Sequence, residues 1–413
     1  MDRMICETES LSPFTKRRVE ASIHESDSGV RLEKSDETGR SYSVVLEPDV
    51  SLYHLLSGSS GSGRKHYTIY ASAECNLKCR FCYESSSCLP VSPEQLKEFL
   101  RDKKRKYIIL GGREPTCNPR LPELIRIAAE RNYAYIITNG LRLADYNYLQ
   151  ELKRAGLKYI HFSLNALRDS VYEDIRMNGQ PLVKEKIAAL DNIRKAGMKV
   201  SVGFTVVKGL NESQIRDVFN YCSERPDFIE ELRVRAAVPY GPGDYGNSDE
   251  YYRLSELIGL FCSACALERE GIINETNYIK SLKSLRPSLE GIQHCGLWFH
   301  YEMKKKQLLF GGKRYKYPQN YSFFGLITMF LKKFGFEYAS RGFDALRCIF
   351  CGPSFSAPSR LLRVQFRCWP NIYSVDLSEW EHCSNYYYKD NLLTPFCLRH
   401  ILNRTEEAKK AGY

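Results

Sequence analysis

Three cysteines, Cys75, Cys79 and Cys82, stand at the spacing CxxxCxxC, with the aromatic Phe81 directly before the third. Thiolates this close are metal ligands, and three of them suit an iron–sulfur cluster in which one iron keeps no protein ligand. Such an iron is a reaction site, as an open position is on any catalytic metal. The alternative is structural zinc, which usually takes four ligands as two spaced pairs. Cys88 is the local candidate for that fourth ligand. Further along comes Gly111-Gly112-Arg113-Glu114. Glycines let the backbone approach a ligand closely, and a carboxylate can accept hydrogen bonds from an ammonium.

Strands must hold these residues in place. His66 to Ala73 is rich in aromatic, small and β-branched residues and reads as a buried strand, so the cysteines leave its C-terminal end. α/β barrels place their chemistry at such ends. Further strand patterns lie near 66–73, 107–111, 133–138, 158–164, 199–207 and 230–238, alternating with helix patterns near 93–104, 121–131, 144–155, 183–196 and 211–223. Six strands joined by helices imply parallel pairing with right-handed crossovers. Thr138-Asn139-Gly140 ends the third strand, with Asn-Gly a turn dipeptide. In the fourth, His161, Ser163 and Asn165 share one face, since side chains alternate. After the fifth, Asn211 reads as a helix N-cap and Gly209 as a tight turn.

The cysteine motif resembles that of the radical S-adenosylmethionine (SAM) superfamily. The resemblance covers about residues 66–240 and implies an open, partial (β/α)6 barrel. It implies a [4Fe–4S] cluster on Cys75, Cys79 and Cys82, with SAM chelating the fourth iron. It makes Glu114 the acceptor for the SAM amino group, in a loop where Arg113 stands in place of a third glycine. By the same match Phe81, Gly111, Gly112 and Asn139 line the cofactor site, and Ser163 and Asn165 contact the ribose and carboxylate. Arg176 resembles an arginine near SAM, Val207 and Gly209 pack on adenine, and Val238 walls its pocket.

Composition bounds the rest. The chain has 413 residues, 43% hydrophobic, enough for one large core with an accessory domain or for two domains. The start is polar, no apolar signal core follows it, and no run reaches a membrane-spanning length, so a cytoplasmic protein is expected. Fifteen cysteines then point to metal or redox use. Residues 1–65 read as a polar leader with short strand-like pieces, such as the one at 41–46, and a Gly/Ser linker at 57–63. Residues 241–300 read as a helical connection that closes the barrel. Cys262 and Cys265 on its helix read as core residues.

Residues 301–413 form a basic, cysteine-rich C-terminal domain. Between residues 304 and 347, ten Lys and Arg face two acids, so most of the net charge of +11 gathers there, interleaved with aromatics. Such a surface suits nucleic acid or a lipid head group, or is simply a solvated face. Cys348, Cys351, Cys368, Cys383 and Cys397 follow, with Cys295 before them. Pro, Gly and Ser interrupt this region and no long strand or helix run is expected to fold it. An auxiliary [4Fe–4S] cluster or zinc is expected there instead. The Pro-Phe-Cys stretch resembles the tails of archaeal pterin-methylase and tetraether-synthase relatives.

The fold class expected is therefore α/β: a partial barrel with a smaller metal-binding domain. The function expected is a radical SAM enzyme that abstracts hydrogen from a peptide, lipid or other large molecule, with an electron donor as partner. The alternative is a non-catalytic iron–sulfur protein that binds RNA or membrane through its basic region.

Overall fold

The computed structural model of the chain describes residues 2–57, 65–84, 89–175, 181–238, 251–285, 295–303, 306–308 and 361–402. Arg176, Cys88, Cys348, Cys351, most of the 57–63 linker and nearly all of the basic 304–347 stretch lie outside them.

The chain begins with an antiparallel meander: β1 (Arg3–Leu11), β2 (Arg18–Ser26), β3 (Gly29–Ser35) and β4 (Ser41–Glu47). Gly29 has φ of +117° and turns β2 into β3; a Cβ there would stand 2.7 Å from the Glu47 carbonyl oxygen. Helix α1 (Val50–Leu56) follows, with the Asp49 side chain accepting from the Leu52 N–H at 2.9 Å. A polar leader was the expectation. The sheet exists because its small apolar face, Ala21, Leu32 and Val44, is supplemented by contacts from far along the chain. Ser10 Oγ donates to the Val375 carbonyl at 2.6 Å, and the Leu377 N–H to that of Glu9 at 2.9 Å.

The barrel elements follow in strict alternation: β5 (His66–Ser72), α2 (Pro93–Leu100), β6 (Tyr107–Gly112), α3 (Leu121–Ala129), β7 (Tyr133–Thr138), α4 (Tyr146–Arg154) and β8 (Leu157–Ser163). After α5 (Asp169–Asp174) and α6 (Val183–Lys195) come β9 (Val200–Val206), α7 (Ile215–Ser223) and β10 (Ile229–Ala236). The six strands are those the sequence predicts. Most are apolar and buried, as parallel strands covered on both faces are, while β10 carries Glu231, Arg233 and Arg235 on its inward face. Ile108 and Leu110 of β6 face the helices, and Tyr107 and Ile109 face the interior. Inside, the rings of Tyr107, Tyr135 and Tyr159 pack tilted across adjacent strands, with centroids 5.4 and 5.3 Å apart.

Beyond β10 lie α8 (Leu254–Cys265), α9 (Arg269–Leu285), β11 (Gly296–Glu302), β12 (Gln307–Leu308), β13 (Leu361–Arg367), β14 (Asn385–Lys389), β15 (Leu392–Pro395) and α10 (Phe396–Ile401). Cys262 is buried in the main core and Cys265 packs against it, as expected. The tail, however, does contain a strand run. β13 pairs parallel with β10, Arg235 opposite Arg367, and β14 pairs parallel with β5, Asn385 opposite His66. Among the described residues one sheet thus runs β12-β11-β13-β10-β9-β8-β7-β6-β5-β14-β15, parallel from β13 to β14. The outer edges of β13 and β14 pair with β11 and β15 rather than with each other, so the sheet stays open. Local pattern cannot name a strand's partner more than a hundred residues away, which is why this was not legible. No described helix is long and apolar enough to cross a membrane.

Candidate active site

The C-terminal ends of β5 to β10 meet at one rim, and a cavity opens there, enclosing about 1120 Å³ counted out to its mouth. Its walls carry Cys75, Cys79 and Cys82 from the loop after β5, together with Gly112, Glu114, Asn139, Ser163, Asn165 and Val238 from the following strand ends. Phe81 also lines it, while packing with Leu77 against Tyr172 and Ile175.

The cysteine loop is folded by its own backbone. Cys82 N–H donates to the Cys79 carbonyl at 3.2 Å, Arg80 N–H to that of Ile175 at 3.2 Å, and Leu77 N–H to Cys75 Sγ at 3.3 Å. Burial pushes the Cys75 thiol up to about 12, with the charges of Glu114, Cys79 and Cys82 adding to the rise. Cys82 is raised likewise, by burial and then by Cys79 and Glu84. Three thiols that destabilise each other's anions at the wall of one cavity are a donor set awaiting a cation, and an iron–sulfur cluster requires such thiolates. The residues therefore fit the group. Among the described residues no three such side chains already stand at metal-binding distance.

Glu114 sits on the loop that leaves β6. Gly112 makes the turn: its φ is +101° and a Cβ would meet the Ser72 carbonyl oxygen at 2.6 Å. Arg113 is not among the residues with positive φ, so the absent third glycine costs nothing. The Glu114 carboxylate is 1% exposed. Its Oε1 accepts from Thr116 N at 3.0 Å, Thr116 Oγ1 at 2.7 Å and Thr138 Oγ1 at 2.7 Å, and its Oε2 from Asn139 N at 2.6 Å. Burial nonetheless raises its pKa above the ordinary carboxylate value. Thr138-Asn139-Gly140 is thus tied to Glu114, and Asn139 Nδ2 reaches Asn76 Oδ1 at 2.7 Å and Cys75 Sγ at 3.9 Å.

Asn165 Oδ1 accepts from Thr205 N at 2.9 Å, linking β8 to β9. Val207 and Gly209 form a turn beside the cavity and, like Gly111, are not among its lining residues. Asn211 stands at the N-cap position of the helical turn Glu212–Gln214, as expected, but its side chain does not cap that turn. It is buried, its Oδ1 accepts from Val207 N at 2.7 Å, and its Nδ2 donates to the Asn165 and Thr205 carbonyls at 3.0 and 2.8 Å. A side chain that can satisfy three backbone groups at a strand end does more there than at a solvent-facing helix start.

Residues 69–222 match the family model described as the Radical SAM superfamily. This is a radical SAM domain. The chain is 24% identical to the 7,8-dihydro-6-hydroxymethylpterin dimethyltransferase of Methanocaldococcus jannaschii over 70% of its own length and 66% of that protein. It is 26% identical to a probable GTP 3',8-cyclase of Thermococcus kodakarensis over 40% of its own length and 54% of that protein. The chain thus spans less than two thirds of either relative. Among solved structures, Streptococcus suis SuiB bound to the precursor peptide SuiA matches with 20% identity and a TM-score of 0.40, covering 55% of this chain and 47% of that one.

The cavity is also lined by residues that the motifs do not announce. Lys186 lines the cavity from α6 and is 1% exposed, its Nζ donating to the Asn139 and Ser163 carbonyls at 2.7 Å each. Its signal was present: Lys186, Ala189, Leu190 and Ile193 make one helical stripe, so a lysine occupies a core position. Glu84, just past the cysteines, is buried and accepts from the Tyr387 hydroxyl at 2.8 Å, with Lys389 Nζ 3.9 Å away. Tyr83 packs edge-on against Trp369 at 5.4 Å and His400 at 4.8 Å. The tail therefore clamps the cysteine loop.

Of the tail cysteines, Cys295, Cys368, Cys383 and Cys397 are described. Cys368 N–H donates to the Cys295 carbonyl at 3.0 Å. Burial raises Cys397, and the charges of Cys295 and Cys383 raise it further. Cys295 is pushed up to about 11 by burial, with Cys383 again adding. Cys295, Cys383 and Cys397 are thus linked by charge, and Cys368 is joined to them through Cys295.

Proposed function

We propose that the protein is a radical SAM enzyme that acts on a substrate admitted to the rim cavity. The observation that carries this reading is the meeting of three thiols and a buried carboxylate in one cavity at the strand ends. Cys75, Cys79 and Cys82 would hold a [4Fe–4S] cluster. Such a cluster, with SAM bound, would supply reductive cleavage of SAM and hydrogen abstraction from substrate.

The chain's own residues do the rest. Glu114 offers a fixed carboxylate to the SAM ammonium, held by four donors so that it cannot turn away. Asn139, Ser163 and Asn165 present polar groups from adjacent strand ends. A protein that merely bound RNA or membrane through its basic stretch would have no use for this constellation. The substrate is a peptide, lipid or other large molecule.

The tail cysteines, Cys383 and Cys397 with Cys295 and Cys368, and Cys348 and Cys351 from outside the described residues, would hold an auxiliary cluster or zinc. Reconstituted, anaerobically reduced protein given SAM should form 5′-deoxyadenosine. Replacing Cys75, Cys79 and Cys82 together by Ala should abolish this yet leave tail-bound iron, or zinc, in metal analysis. Undiminished SAM cleavage in that variant would overturn the first assignment; a metal-free variant would overturn the second.

A further inference from the structure

The inward face of β10 and β13 carries four arginines, and three are matched. Parallel register sets Glu231 beside Arg363, Arg233 beside Gln365 and Arg235 beside Arg367. Glu231 is fully buried and takes two of them: Arg233 Nε at 2.6 Å and Arg363 Nη2 at 2.6 Å. The Gln365 amide, turned with its oxygen toward Arg367, accepts from Nη2 at 3.2 Å and Nε at 3.3 Å. Arg235 remains. Among the described residues it has no carboxylate within ion-pair distance and no hydrogen-bond acceptor.

Its surroundings are nevertheless built to hold it. The guanidinium carbon lies over the Trp369 ring, 5.3 Å from the centroid, within cation–π distance. Gly203 of β9 leaves room beside it: a Cβ there would come within 3.2 Å of Arg235 Nη2. Arg235 lines the same cavity as the three cysteines. Burial lowers it to about 10, with Arg233 and Arg367 adding repulsion, so it stays charged at neutral pH while lacking a counter-ion. A flat, half-buried fork of N–H donors at a cavity wall is the complement of an oxyanion.

SAM is not the natural source of that oxyanion. The acceptor for its amino group, Glu114, follows β6, whereas Arg235 is on β10, with β7, β8 and β9 between them. The two charges face each other across the cavity. We propose that Arg235, stacked on Trp369 and facing the cysteine loop, binds an oxyanion of the substrate, a carboxylate or a phosphate. This deepens the radical SAM reading and rests on it for the identity of the cavity. It narrows the substrate to a molecule whose anionic group lies on the β10 side while its reacting hydrogen lies toward the cysteines.

The test uses the full-length, cluster-loaded oxidised protein saturated with SAM, so that no turnover intervenes. Pyrophosphate, orthophosphate and acetate serve as probes in calorimetric titrations. At least one should bind wild type, more weakly by about tenfold or more in Arg235→Met, with partial recovery in Arg235→Lys, which keeps the charge and loses the fork. SAM affinity, measured on the same samples, should stay within about twofold of wild type, and that also reports an intact fold. Binding of the phosphates alone would identify a phosphate ester, and binding of acetate alone a carboxylate. The proposal is overturned if wild type takes up none of the three, if Arg235→Met binds them equally, or if SAM affinity falls in step with theirs. Failure of wild type to cleave SAM on reduction would remove the radical reading separately, since the titrations need no cleavage.

Discussion

Glu114→Gln separates the carboxylate's charge from its shape. In wild type, Oε1 takes three donors and Oε2 takes the Asn139 N–H. An amide must set its NH₂ at one of these positions. At the Oε1 position it would face the Thr116 N–H and two hydroxyls, and the Thr138 hydroxyl already accepts from Gly140 N at 2.9 Å. The cheaper orientation sets the NH₂ against the Asn139 N–H. One charge-assisted hydrogen bond is then lost in a buried place and two donors face each other, which costs about 2–4 kcal/mol of fold stability. The SAM ammonium loses an ionic acceptor as well, about 1–3 kcal/mol, or roughly 5- to 150-fold in affinity.

pH gives an independent check on the same residue. Burial raises the Glu114 carboxyl, so the carboxylate is present above that raised value and lost as pH falls through it. SAM affinity of wild type should fall on acidification through that range and that of Glu114→Gln should not. For folding the sign is opposite: the group's contribution is fully present below the ordinary carboxylate pKa and is lost as pH rises through the raised one. The assays are SAM titration into oxidised protein, iron content and denaturant unfolding. A variant with normal iron that binds SAM as wild type does, with the same pH profile, would refute the assignment.

Two further outcomes test the scaffold. Gly140 has φ of +81°, and a Cβ there would lie 2.0 Å from the buried Phe162 ring; Gly140→Ala should cost about 2–5 kcal/mol in denaturant unfolding, and a near-neutral result would mean that the strand-end turn is not as described. Glu231 is held down to about 2, since Arg233 and Arg363 outweigh the opposing effect of burial, so its contribution to stability is present above pH 4.5 and lost as pH falls through about 2. Glu231→Gln should leave two arginines uncompensated at a cost of about 3–5 kcal/mol at neutral pH and flatten that acid limb, and an unchanged unfolding curve would argue against a paired role.

How much of this was written in the sequence depends on the range of the interactions. Five of the six barrel strands were legible as largely apolar runs and the sixth, β10, as an alternation of charged and apolar residues, both local properties. The cysteines, Gly112 and Glu114 were legible because chemistry demands those residue types at those spacings. Of the meander only β4 was legible, as the strand-like piece at 41–46; β1 to β3 were not. Segments such as Arg18–Ser26 alternate charged with small residues, and what completes their burial is the tail, more than three hundred residues on. Arg235 was visible as one charge in an alternating strand, but its lack of an acceptor is a property of β13 and Trp369 together. Lys186 could have been found, as a cation in an otherwise apolar helical stripe.

The tail is where sequence reasoning placed an accessory domain, and in the fold it flanks the site on both sides and adds Trp369 to its wall. β14 borders β5, the strand that delivers the cysteines, and β13 borders β10, the strand that delivers Arg235. Tyr387 and Lys389 fix Glu84 at the end of the cysteine loop, and Trp369 touches Tyr83 on one side and carries Arg235 on the other. One ring therefore joins the residues that would hold the cluster to the residue proposed to hold the substrate. Since packed aromatic contacts do not deform continuously, a shift of Trp369 moves both partners. Positioning of the substrate and positioning of the cysteine loop are then one structural property, set by residues 361–402 and not by the barrel alone.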